Sequence, residues 1–175
     1  MSNNTQHPYS VPAHYQGTTQ EEFQGGKNKV LELFNTLDLV DFLKQFTQQI
    51  LPLESAKWFA LDCAKLVLYA FEQQYPSDKR VSNCIEVVES YLNGKSSLYE
   101  LKRASDAVKA AAAPAYAAEA AEAAGYTVNY AALSAASAAC AYYAAAAAGR
   151  CAADATSKDE MQAFIKNWID NYFNI

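Results

Sequence analysis

The chain has only two histidines, His7 and His14, and both stand in its first fifteen residues. Whatever folds beyond them has no imidazole for general base work or zinc ligation. The four cysteines, Cys63, Cys84, Cys140 and Cys151, lie far apart without a CxxC pair. No secretory signal precedes them, so they read as reduced core thiols of a cytosolic protein rather than a disulfide framework. Glycine is sparse, and no glycine-rich loop precedes a helix as a phosphate cradle requires. Cations are outnumbered, 14 against 19 anions, and the pI is near 5.0. Lys102, Arg103 and Lys109 on one expected helix are too few to make the basic face that nucleic-acid binding needs. The long alanine stretches are barely apolar and are interrupted by Glu119, Glu122, Asn129 and Arg150, which excludes a membrane span. Nor does any segment alternate as a strand would.

What the chain does have is alanine. More than half of the residues from Ala104 to Ala155 are alanine, the residue that gives up least on entering a helix. Two long helices follow, with small faces that let helix axes approach near the lower end of the usual ~8–10 Å. Tyr116, Tyr126, Tyr130, Tyr142 and Tyr143 are the large side chains expected to fill gaps. The fold class is therefore all-α, a helical bundle with two central alanine-rich helices.

Residues 1–27 are polar and aperiodic, and form a disordered or loosely attached tail or a segment that folds onto a partner or its own domain. Residues 28–175 form a single helical domain. Val30, Leu31 and Phe34 mark a short first helix. Thr36 is placed to cap a second, with Leu39, Phe42, Leu43, Phe46 and Ile50 at three- and four-residue steps. Pro52 interrupts, and a long helix spans Leu53 to Gln74. Tyr75-Pro76-Ser77-Asp78 is a turn whose Ser77 or Asp78 caps a helix running to Leu92, stopped by Asn93-Gly94. Ser97 and Glu100 form a capping box for the first alanine-rich helix. Pro114 kinks or divides that helix, and Gly125 ends it. The second runs from about Val128 to Ala148, or on to Ala155. Ser157 and Glu160 make another capping box, opening a last helix with Met161, Phe164, Ile165, Trp168, Ile169 and Phe173 inward.

Ser134 and Ser137 sit in alanine helices without a visible base, which makes them packing residues. The densest polar set is Asp62, Glu72, Asp78, Glu86 and Glu89 with Lys65 and Arg80. Asp62 and Lys65, at i and i+3, suit a surface ion pair. Arg80 is placed to reach back across the turn, to Glu72 first and Glu86 second. The set reads first as caps and surface pairs around a turn, and alternatively as a partner-binding or metal-binding acidic patch; it carries no nucleophile-base pair and no enzyme signature.

Trp58, Asp62-Cys63-Ala64, Val67-Leu68, Phe71-Glu72, Tyr75-Pro76, Asp78, Arg80, Ile85-Glu86 and Gly94, followed by alanine-rich helices, form an ordered series over about residues 53–155. This W-x3-DCA-x2-VL-x2-FE-x2-YP-x-D-x-R-x4-IE pattern resembles the Imm5-like immunity proteins of bacterial polymorphic toxin systems, which have phage relatives. The resemblance implies a non-catalytic, cytoplasmic, toxin-neutralising protein that binds another protein, with no cofactor, metal, nucleic acid or membrane involved. Trp58, Tyr75, Pro76 and Arg80 are its structural residues, and Asp62, Glu72, Asp78 and Glu86 its candidates for partner contact. The competing class is a structural or phage accessory protein that self-associates, as a homo-oligomer, through the alanine-rich helices.

Overall fold

A computed structural model describes residues 20–115, 119–137 and 141–173. Tyr116, Ala138, Ala139, Cys140 and the side chains of Tyr142 and Tyr143 lie outside the described residues. The protein is all-α, with no strand among the described residues. Its helices are α1 (Gln20–Thr36), α2 (Leu39–Gln45), α3 (Leu53–Gln74), α4 (Arg80–Leu92), α5 (Leu98–Ala115), α6 (Glu119–Ala136), α7 (Ala141–Ala155) and α8 (Lys158–Tyr172). A wide π-helical turn, Phe46–Ile50, continues α2.

Several boundaries follow directly from local chemistry. Pro52 stands at the N-terminus of α3. Gly94 closes α4 at φ 71°, a left-handed conformation that glycine adopts without a Cβ penalty. Both capping boxes form: the Ser97 and Ser157 backbone N–H groups donate to Glu100 and Glu160 at 2.7 and 2.9 Å. These hydrogen bonds hold the carboxyl of each glutamate below its ordinary range. At Glu100 the backbone donor matters most, and at Glu160 the Ser157 hydroxyl.

Three expectations fail. Thr36 does not cap α2: it ends α1, with its hydroxyl donating to the Glu32 carbonyl at 2.8 Å. The cap is Asp38, which accepts the Asp41 N–H at 2.9 Å. The first helix is longer than expected and begins at Gln20, inside the stretch read as a tail; its Lys27 pairs with Asp170 of α8 at 2.9 Å. Gly125 does not end a helix, being buried inside α6, and the helix expected from Val128 to Ala148 is divided between α6 and α7. A mid-helix glycine costs only about 1 kcal/mol against alanine, which packing outweighs. The division instead falls just past Ala136, where the buried Ser134 hydroxyl donates to the Ala141 carbonyl at 3.0 Å and ties the two helices together. Pro114 lies in the last turn of α5, one residue before its end at Ala115.

The alanine-rich helices do occupy the centre. α6 and α7 pack most extensively on each other, and α3 lies against both. Ala131, Ala135, Ala145, Ala148 and Ala152 are buried between them and their neighbours. At Gly149 a Cβ would stand 2.9 Å from Leu43 Cδ2 and 3.4 Å from Phe59 Cε1. A hydrogen there lets α7 sit directly on α2 and α3. Of the tyrosines, Tyr130 is half-buried, but Tyr126 is exposed rather than filling a gap. Bulk comes instead from an aromatic cluster at one end: Phe46, Phe59 and Trp168 meet edge to face at 5.2–5.6 Å, and Tyr172 stacks on Trp168 at 5.2 Å. Cys63 and Cys84 are buried free thiols and Cys151 is half-buried.

Candidate functional site

Most of the motif on α3 and α4 builds the fold. Cys63, Ala64, Val67 and Phe71 are fully buried along the inner stripe of α3, Ile85 is buried on α4, and Trp58 packs on the core half-buried. At the turn, the Tyr75 ring leans on Phe71 at 5.5 Å, and its carbonyl accepts the Asp78 N–H at 3.0 Å. Pro76 is exposed at the bend.

Arg80 does not reach Glu72 or Glu86 as expected. Its guanidinium grips Asp78, with Nε 2.9 Å from Oδ1 and the terminal nitrogen 2.5 Å from Oδ2. The same carboxylate accepts the Arg80 N–H at 3.0 Å. Asp78, one residue before the N-cap Lys79, therefore holds the first backbone N–H of α4 and the arginine side chain in one short loop, and is not itself the N-cap. Glu72 pairs instead with Lys79 at 3.4 Å.

Asp62 and Lys65 also part company. A three-residue step turns about 60° short of a full circle, and the two side chains diverge to opposite flanks of α3. Lys65 reaches Glu89 of α4 at 2.9 Å. Asp62 turns toward α8, where its Oδ2 accepts the Trp168 indole N–H at 3.0 Å in a buried contact. The four acidic candidates thus occupy different settings. Asp62 is 9 % exposed, Glu72 and Asp78 are held by neighbouring cations, and Glu86 is exposed on α4. The Lys65–Glu89 and Glu72–Lys79 pairs tie α3 to α4 and to the residue just before it.

Between these flanks the outer stripe of α3 carries side chains that the sequence reading passed over. Tyr69 is 69 % exposed, among the most open large apolar groups of the described chain. It stands seven residues after Asp62 and four after Lys65. An aromatic at helical spacing on a polar stripe was the signal. Beside it, α3 and α8 enclose a groove of about 320 Å³. Asp62, Lys65 and Leu66 wall one side; Phe164, Asn167, Trp168 and Asn171 wall the other. A second groove, about 340 Å³, lies between α4 and α5 and carries both charges, Arg80 and Arg103 with Glu100. Among the described residues no three His, Cys, Asp or Glu side chains converge as a metal site, and no helix is long and apolar enough to cross a membrane.

Residues 45–172 match the family described as Imm-5 like putative immunity protein, and the chain belongs to that family. The match is wider than the 53–155 span of the sequence pattern, taking in the π-helical turn and α8. Within that span the Asp62–Trp168 bond joins the motif on α3 to the last helix. No curated protein and no solved structure matches the chain.

Proposed function

We propose that this protein neutralises a toxin domain in the cytoplasm by binding it, without catalytic turnover. The contact face is the outer stripe of α3 with the adjoining edges of α4 and α8. Membership of the family supports the role, and the exposure of Tyr69 on the outer stripe of α3 supports the place. Tyrosine gives a rigid, amphipathic anchor of the kind that dominates interface energetics. Glu86 and Glu72 serve as charged contacts around it, while Asp62 and Asp78 hold the helices that present them. A net acidic rim steers a basic partner, so association slows as salt screens charges beyond ~8–10 Å.

The test is co-expression with the product of the adjacent gene, followed by pull-down with wild type and with Tyr69→Ala plus Glu86→Lys. Both substituted residues are exposed, so the fold, checked by circular dichroism, stays intact. Loss of capture supports the face; undiminished capture and rescue moves the interface elsewhere. Self-association is the second reading, favoured by Tyr126 and Leu133, each 45 % exposed on α6. No charged residue occurs between Glu122 and Arg150 to oppose such contact. A large homo-oligomer that binds no neighbouring product decides for it.

A further inference from the structure

We infer that the groove between α4 and α5 receives a carboxylate side chain of the protein partner, held by Arg103. The inference rests on the protein-binding reading above and adds to it a second contact of opposite charge.

The chain as a whole is acidic, yet from Lys95 to Arg103 three cations stand against one anion. That anion, Glu100, is already engaged: its Oε2 accepts the Ser97 N–H at 2.7 Å and the Ser97 hydroxyl at 2.8 Å. Arg103 stands about one turn further along α5. It is exposed, and among the described residues no carboxylate lies within ion-pair distance of it. Arg80 and Arg103, two of the three arginines in the chain, line the groove of about 340 Å³. Arg80 is engaged by Asp78, so Arg103 is the guanidinium offered to a ligand. Its planar fork of N–H donors matches the two oxygens of a carboxylate. Asn83, exposed on the α4 wall, adds an amide donor. Val87, Ala104 and Ala107 give the groove an apolar lining that suits the methylene stem of a glutamate.

Two further observations favour a protein as the source of that carboxylate. Tyr99, 70 % exposed, precedes Arg103 by four residues and so shares its helix face. Tyrosine and arginine are residue types that carry much of the energy of protein interfaces. Asn83 and Val87 stand three residues before and one after Glu86, so the groove adjoins the α4 edge of the proposed contact face. A partner seated there presents charges of both signs, and the two contacts together fix its orientation.

The test uses the full chain without any toxin. N-acetyl-glutamate amide is titrated against its neutral isostere, N-acetyl-glutamine amide, at constant pH and ionic strength. The backbone N–H signals of Ala104 and Ala107 and the Arg103 Nε–H signal are followed in ¹H–¹⁵N spectra. The expected result is a saturable shift with glutamate and at least about tenfold weaker binding of glutamine. Arg103→Gln removes the fork at an exposed position and should weaken glutamate binding by a similar factor. Lys102→Gln, the same loss of charge one residue away, should change it by less than about twofold. Equal responses to glutamate and glutamine overturn the inference, as does no response up to about 100 mM. An equal effect of the two substitutions also overturns it, because it marks a diffuse field and not a site. Inorganic phosphate bound more tightly than glutamate overturns it as well and assigns the groove to a phosphate-bearing ligand. Each of these results leaves the toxin-binding reading to the Tyr69 and Glu86 pull-down, so the two fail separately.

Discussion

Replacing Trp168 by phenylalanine probes the joint between the motif and the last helix. Trp168 is 5 % exposed, donates to Asp62 at 3.0 Å, and packs against Phe46, Phe59 and Tyr172. Phenylalanine keeps a ring in the cluster but removes the donor and the second ring of the indole. A hydrogen bond to a charged group contributes about 1.5–3 kcal/mol, and the space left by the missing atoms adds about 1 kcal/mol or more. The sum, roughly 2.5–4 kcal/mol, corresponds to a fall of roughly 5–16 °C in Tm for a chain of this size. Only the first part depends on Asp62. A double-mutant cycle of Trp168→Phe with Asp62→Ala, read by urea unfolding, should therefore give a coupling of about 1.5–3 kcal/mol. A coupling below about 0.5 kcal/mol would mean that the contact is incidental and that α8 is held by packing alone.

Three further outcomes are expected. Ala145→Leu, at a position with no solvent exposure, should overpack the α6–α7 contact and cost about 1–3 kcal/mol; an unchanged melting temperature would refute the close-packed centre. Because Glu100 and Glu160 have folded-state pKa values below their unfolded ones, their contribution is complete above about pH 4.3 and is lost as pH falls through the lowered values. Glu160→Gln, which keeps a capping acceptor, should flatten that acid limb in pH-dependent thermal melts. Burial pushes the Cys84 thiol up to about 12, against a lowering influence from Lys109, and burial, with the Asp62 charge second, holds Cys63 well above its ordinary value. A disulfide reagent at neutral pH should leave both unmodified until denaturant is added, while half-buried Cys151 reacts earlier.

The parts of this fold legible in the sequence are those with punctuation. Pro52, the Tyr75-Pro76 turn, Gly94 and two Ser-x-x-Glu boxes each fix a helix end by a local constraint, and α3, α4, α5 and α8 start or stop there. The alanine region has no such marks. With nearly every residue a good helix former, propensity does not vary along it, and a buried glycine is mistaken for a stop. The junction after Ala136 depends on tertiary packing and on Ser134, which no local pattern reveals. The candidate site was legible to the same extent. The motif located α3 and its acidic residues, but spacing on one helix suggested Lys65 for Asp62 when the partner is 106 residues away on α8. For Arg80 the sequence offers carboxylates on both sides of the turn, whereas the one it holds lies two residues behind it.

The centre of this protein admits variation in one direction only. In a core of leucine and phenylalanine a substitution can remove or add volume, and later changes can trade one against the other. Where Ala131, Ala145, Ala148 and Gly149 meet their neighbours, almost every alternative side chain is larger. The distance between the helix backbones, and not the size of any side chain, is what these positions specify. A lengthened side chain at one of them forces two helices apart along their whole contact, which would shift α3 and the face it presents. Monotony of composition is thus a mechanical property here: it sets the spacing on which the outer stripe of α3 depends.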